Sequence, residues 1–157
     1  MIRLNFVCLG NICRSPMAEG VFRHLAAQEG LGDRFQVESS AIGPWHVGEP
    51  YDPRARRAAS AHGVQLHGAP TQIKARDFDR FDWLIALDAD IADSLRRLTP
   101  SAPARAKIRL LREFDPGANG DLNVPDPYYG GPQDFEHVYQ IIERSCRALL
   151  DELKAKA

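Results

Sequence analysis

Cysteine is scarce in this chain: three occur in 157 residues, at positions 8, 13 and 146. A count that small, odd and widely spaced excludes the disulfide framework of a small secreted domain and points to free thiols in a reducing, cytoplasmic setting. Net charge is nearly missing too, since 20 basic side chains face 21 acidic ones for a formal charge of -1. A chain so balanced has no general pull toward nucleic acid or an anionic membrane, so any anion site must be local. No stretch approaches the roughly 20 apolar residues of a membrane span. The N-terminal MIRLNFVCLGN is broken by Asn5 and Asn11, and no small-residue cleavage site follows it. No repeat or low-complexity segment is visible. A Gly-Lys-Ser/Thr phosphate motif is absent. Cys8 and Cys13 lack the close spacing of a zinc pair, and no further Cys/His pair completes four ligands, so neither metal nor cofactor is expected.

What remains is enough hydrophobic sequence, 44% of residues, for one domain over 1–157 with a real core. Ile2 to Leu9 is a short apolar run bounded by Gly10 and reads as a buried parallel strand. Ser15-Pro16 reads as a helix start, with Ser15 as cap, and Gly30 ends that helix. Phe35 to Ile42 is a second strand. A helix opens at Asp52-Pro53 and ends at Gly63. Phe81 to Leu87 is a third strand, Ala89 to Leu98 a helix, and Ile108 to Phe114 a fourth strand. Asp115 to Gly131, rich in Gly, Pro, Asn and Asp, is a long loop, and Phe135 to Leu153 is an amphipathic helix. Strands alternating with helices predict an α/β fold: a central four-stranded parallel sheet with helices on both faces. In such sheets ligands bind beyond the carboxyl ends of the strands, where residues 8 to 15 would lie.

That junction reads VCLGNICRSPMAEG, from Val7 to Gly20. A strand-to-helix loop turns successive backbone N–H groups inward as an anion nest, and the helix N-terminus adds positive potential. Gly10 and Asn11 tolerate the positive φ that a nest needs. Arg14 adds a two-pronged fork for phosphate oxygens. A field that holds a dianion also stabilises a thiolate at Cys8, placing an in-line nucleophile under the bound phosphate. Ser15 would donate a hydrogen bond to that sulfur and ease its departure.

VCLGNICRSPMAE resembles the phosphate loop of the low molecular weight protein tyrosine phosphatases. DPYYGG at Asp126–Gly131 is similar to their general-acid loop, Val37 to Ala55 to their second strand and specificity loop, and FEHVYQIIERSCRALLDEL to their last helix. The resemblance implies that Cys8 becomes a phosphocysteine and that Arg14 binds phosphate and the transition state. It implies that the amides of Leu9, Gly10, Asn11, Ile12, Cys13, Arg14 and Ser15 hold the equatorial oxygens. Asp126 would protonate the leaving oxygen and then activate water. Asn11 and Ser39 would keep the loop in shape; Ile12, Trp45, Tyr128 and Tyr129 would wall the cleft; Cys13 would capture oxidised Cys8 as a disulfide. The implied partner is a phosphotyrosine protein, and the chain is expected to be monomeric or weakly self-associating. A walled, deep cleft suits the long phosphotyrosine ring, and phosphoserine would fall short of the thiolate.

Other residues carry less. The segment His62 to Phe78 holds extra residues relative to the family pattern. His62 and His67 are both candidates for a histidine that supports the loop, and neither joins the catalytic set. His24, His46 and His137 are set aside. Asp88 is equally a helix cap and a neighbour of the site. Cys146 reads as core, and the Arg54–Arg57 run as a solvated helix face. Two related activities compete. Arsenate reduction needs relay cysteines that are missing between Cys13 and Cys146. Arginine dephosphorylation is associated by the resemblance with threonine in the place of Ile12. A third reading, an inactive phosphate-loop protein, finds no support, because Cys8, Arg14 and Asp126 are all present.

Overall fold

The computed structural model describes residues 1–157. Ile2–Cys8 forms β1, buried from Leu4 onward. β2 (Phe35–Ala41) pairs on one side of it and β3 (Trp83–Ala86) on the other, both parallel. β4 (Ile108–Leu110) extends the sheet beyond β3, giving the order β2-β1-β3-β4. This is the expected four-stranded parallel sheet.

Side chains alternate across a strand, so the two faces of β1 feed two cores. Leu4, Phe6 and Cys8 face the larger one, shared with α1 (Arg14–Gln28), α2 (Pro53–Ser60) and α5 (Pro132–Lys154). Val7, with Leu84 and Ala86 of β3, faces the smaller one, closed by α3 (Ala89–Leu98) and a 3-10 turn over Ala75–Asp79. Burial on both faces is why these strands read as continuous apolar runs.

Four expectations need correction and one element is new. The third strand is confined to Trp83–Ala86, shorter at both ends than Phe81 to Leu87. Ser15 does not cap α1, which begins at Arg14 with Cys13 in the cap position and no side-chain cap. Pro16 then falls in the first turn, where helix N–H groups have no internal partner anyway, and the Ser15 hydroxyl is released for another use. The fourth strand stops at Leu110, and Leu111–Glu113 turns into a 3-10 segment. Glu113 there accepts from the Leu110 amide (2.6 Å), and an edge strand has no second neighbour to compete for it. A short helix, α4 (Ala102–Arg105), was not foreseen, although Ser101 caps it onto the Ala104 amide. α5 starts at Pro132 rather than Phe135, since proline at the first position forfeits no hydrogen bond.

The carboxyl ends of β1, β2 and β3 lie at one edge of the sheet. The segment after α2 returns there, with Thr71 and Ile73 bonded to Ala41. The long 115–131 loop does so too, through the Val124 amide donating to the Leu87 carbonyl (2.9 Å). Three loops distant in sequence thus meet at Cys8.

Candidate active site

Cys8 is the last residue of β1 and is buried. The chain then wraps around its sulfur. Asn11 adopts φ 56°, a left-handed conformation that aims its amide back at Cys8 Sγ (3.3 Å). Gly10 is not in that conformation. A Cβ there would stand 3.0 Å from the His46 ring, a contact that ring would have to yield to. The amides of Gly10, Ile12 and Cys13 find no acceptor within the protein. Their carbonyls are tied outward: Leu9 accepts from Gly43, and Ile12 from Asp52.

A hydrogen-bond chain fixes this loop. Asn11 Nδ2 donates to Ser15 Oγ (2.8 Å) and to Ser39 Oγ (3.0 Å). Ser15 Oγ lies 2.9 Å from Cys8 Sγ. Asn11 Nδ2 already donates to this oxygen, which leaves the Ser15 proton free to point at the sulfur. Ser39 Oγ donates to Glu19 Oε1 (2.6 Å), and the Thr71 amide donates to Asn11 Oδ1 (3.1 Å). Burial pushes the Glu19 carboxyl above its usual value, against the pull of the Ser39 hydrogen bond and Arg23. Glu19 and Thr71 are functional neighbours that the linear sequence did not reveal. Neither His62 nor His67 bonds the loop. His62 pairs with Glu136 (2.7 Å) and stacks on Tyr139 (4.2 Å), while His67 lines a separate surface cavity beside Glu19.

Arg14 is 4% exposed and held from two sides. Its Nη1 donates to Asp88 Oδ2 (2.7 Å) and to the Val124 carbonyl (2.9 Å). Asp88 does both things the sequence left open, because its other oxygen accepts from the Ile91 amide and caps α3. Arg14 Nη2 reaches Asp126 Oδ2 at 3.9 Å. Asp126 itself is half exposed, with Oδ1 accepting from the Tyr128 amide (3.1 Å), so the Asp-Pro turn positions the carboxylate rather than competing with a role for it.

Cys8, Arg14 and Asp126 line one cavity of about 250 Å³ together with Ile12, Trp45, Tyr128 and Tyr129. His46 joins this wall although the sequence had set it aside, and its ring is steered by Glu49 (2.6 Å). Trp45 is 62% exposed and lies over Gly43, where any Cβ would collide with the indole. Tyr128 and Tyr129 meet edge to face at 5.0 Å. Cys13 is buried and lines the same cavity, and burial, reinforced by Asp52 and Cys8, pushes its thiol up. Cys146 is core, as expected, with Sγ 3.7 Å from the Ala18 carbonyl.

A family model described as low molecular weight phosphotyrosine protein phosphatase matches residues 3–157. A low molecular weight protein-tyrosine-phosphatase of Streptomyces coelicolor is 48% identical over 149 residues, covering 94% of this chain and 91% of its own. Among solved structures, a protein tyrosine phosphatase from Entamoeba histolytica superposes with a TM-score of 0.94 at 33% identity, covering 99% of both chains. The YwlE arginine phosphatase of Bacillus subtilis, in a mutant with a phosphorylated active-site serine, superposes at 0.86 with 25% identity, covering 98% of this chain and 96% of that one.

Proposed function

The chain belongs to the low molecular weight phosphotyrosine protein phosphatase family, and from that premise we propose that it hydrolyses phosphotyrosine in proteins, and small aryl phosphates, through a phosphocysteine on Cys8. The observation that carries this reading is the convergence of Cys8, Arg14 and Asp126 on one aromatic-walled cavity.

The chemistry proceeds in two displacements. A phosphate dianion rests against the inward amides and Arg14, which supply positive charge where the transition state spreads its negative charge. The Cys8 thiolate attacks phosphorus in line. The S–P bond forms, the P–O bond to the ring breaks, and Asp126 gives its proton to the departing oxygen. Asp126, now a carboxylate, takes a proton from water as the water oxygen attacks phosphorus. The S–P bond breaks, phosphate leaves, and the Ser15 hydroxyl stabilises the returning thiolate. The phosphorylated active-site serine in the YwlE mutant supports a covalent phosphoenzyme on this scaffold.

Ile12 favours an aryl over a guanidinium leaving group, because an apolar wall suits a phenyl ring and leaves a charged guanidinium without a partner. Phosphate release from matched phosphotyrosine and phosphoarginine peptides, by the wild-type protein and by Cys8→Ser, tests the whole reading. Tyrosine turnover that disappears in Cys8→Ser is the expected result. Arginine turnover that disappears would keep the mechanism and overturn the substrate class. Turnover that survives Cys8→Ser would overturn the mechanism.

A further inference from the structure

Beside the catalytic cavity lies a second surface cavity of about 280 Å³, lined by Arg54, Arg57, Ala58, Pro132, Phe135 and Glu136. Arg54 is the partition between the two. Its guanidinium lies 5.4 Å from the Tyr128 ring, in the catalytic wall, and 4.7 Å from the Phe135 ring, in the second cavity. Both oxygens of Asp52 hold it there, at 2.8 and 3.1 Å. Arg57 is different. It lies one turn further along α2, on the same face as Arg54. It is exposed and makes no ion pair or side-chain hydrogen bond. The one acid in the lining, Glu136, is committed to His62 and Gln140. Two like charges one turn apart destabilise a helix slightly, and only one of the pair is neutralised from within the protein.

We propose that this second cavity is a recognition subsite for a carboxylate side chain flanking the phosphotyrosine of the substrate, with Arg57 as its cation. The inference rests on the phosphotyrosine reading above. A polypeptide whose phosphotyrosine occupies the catalytic cavity passes over Tyr128 as it leaves. The next surface it meets is Arg54, already neutralised, and then Arg57, which is not. Phe135 and Pro132 give the aliphatic stem of a glutamate something to pack on, and Arg57 meets its carboxylate. An acidic partner supplies what the cavity lacks; a basic or phosphate-free neutral one leaves Arg57 as it is.

The test moves a single glutamate through the positions flanking phosphotyrosine in a short peptide, with glutamine at the same position as control. At one position glutamate should raise kcat/KM about two- to fivefold over glutamine, the range of an exposed ionic contact. That advantage should vanish in Arg57→Gln, reverse in Arg57→Glu, and fade at ~1 M salt, where the Debye length is about 3 Å. Turnover of p-nitrophenyl phosphate, which is too small to reach Arg57, should be equal in all three proteins and reports that each is folded. Equal rates for glutamate and glutamine at every position would overturn the subsite, as would an advantage that persists in Arg57→Glu. Hydrolysis of p-nitrophenyl phosphate but of neither peptide would instead overturn the protein-substrate reading, and the subsite with it.

Discussion

Asp126 and Ser15 make separable contributions in the proposed chemistry, and single substitutions should distinguish them. Asp126→Asn preserves shape but has no proton to give. Its kcat on phenyl phosphate should fall by roughly 10²- to 10³-fold. The loss should be smaller on p-nitrophenyl phosphate, whose leaving oxygen needs less help, and steady-state rates on the two esters check this. Ser15→Ala removes the donor to the sulfur and leaves Asn11 Nδ2 short of an acceptor. Its kcat should fall about tenfold, with the phosphoenzyme accumulating ahead of a slow second step, seen as a burst of phenol in rapid-mix kinetics. Cys8, Arg14 and Ser15 were legible because one short motif carries them all. Glu19 and Thr71 were not, because each is tied to the loop through contacts with Ser39 or Asn11 that no local pattern registers. Asp88, 74 residues from Arg14, was legible equally as a cap and as a neighbour of the site, and it is both.

At the scale of elements, the loop that carries Asp126, the proposed acid, is fastened to the body by a buried carboxylate. Asp115 accepts from Arg112 (3.0 Å), Arg144 of α5 (2.6 Å) and the Gly117 amide (2.8 Å), while Arg112 also donates to the Asn123 carbonyl (2.9 Å). Asp115→Asn should destabilise the protein by about 3 kcal/mol, because the buried Arg112 keeps only the exposed Asp121, at 3.4 Å, as a counter-charge. Urea denaturation measures it. Burial alone would raise the Asp115 carboxyl, but Arg144, the Gly117 amide and Arg112 outweigh it and hold it below the usual carboxylate range. Folding therefore favours the ionised form. The contribution is complete above the unfolded carboxylate value of about 3.9 and is lost as pH falls from there through the lower folded value. The Asp115→Asn variant should show a shallower loss of stability over that acid window than the wild type. Sequence reading found the long helices and β1 to β3, whose periodicity agrees with their packing, but it misplaced the starts of α1 and α5 and overran β3. It overran β4, where Glu113 ends the ladder through a side-chain contact that periodicity does not register, and it passed over the four-residue α4, too short to show a period.

At the scale of the whole molecule, stability and the proposed recognition reside in different residues. Phe6 is fully buried between sheet and helices, while Trp45 stands at the mouth of the cavity. Phe6→Ala should cost about 3–5 kcal/mol. Trp45→Ala should leave the melting temperature nearly unchanged and raise KM for aryl phosphates, and calorimetry with steady-state kinetics separates the two. The α/β class and the single parallel sheet were readable because alternating strands and helices admit few topologies. The order of strands was not, since nothing local says which strand stands in the middle. That middle place has a consequence for how the molecule breathes. β1 is paired on both sides, and Cys8, the proposed nucleophile, is its last residue. The strand that carries Cys8 therefore cannot open while the rest of the sheet stays closed. Amide hydrogens of β1 should exchange only through global opening, those of the edge strand β4 through cheaper local fraying. Activity in rising denaturant should persist until the whole fold gives way.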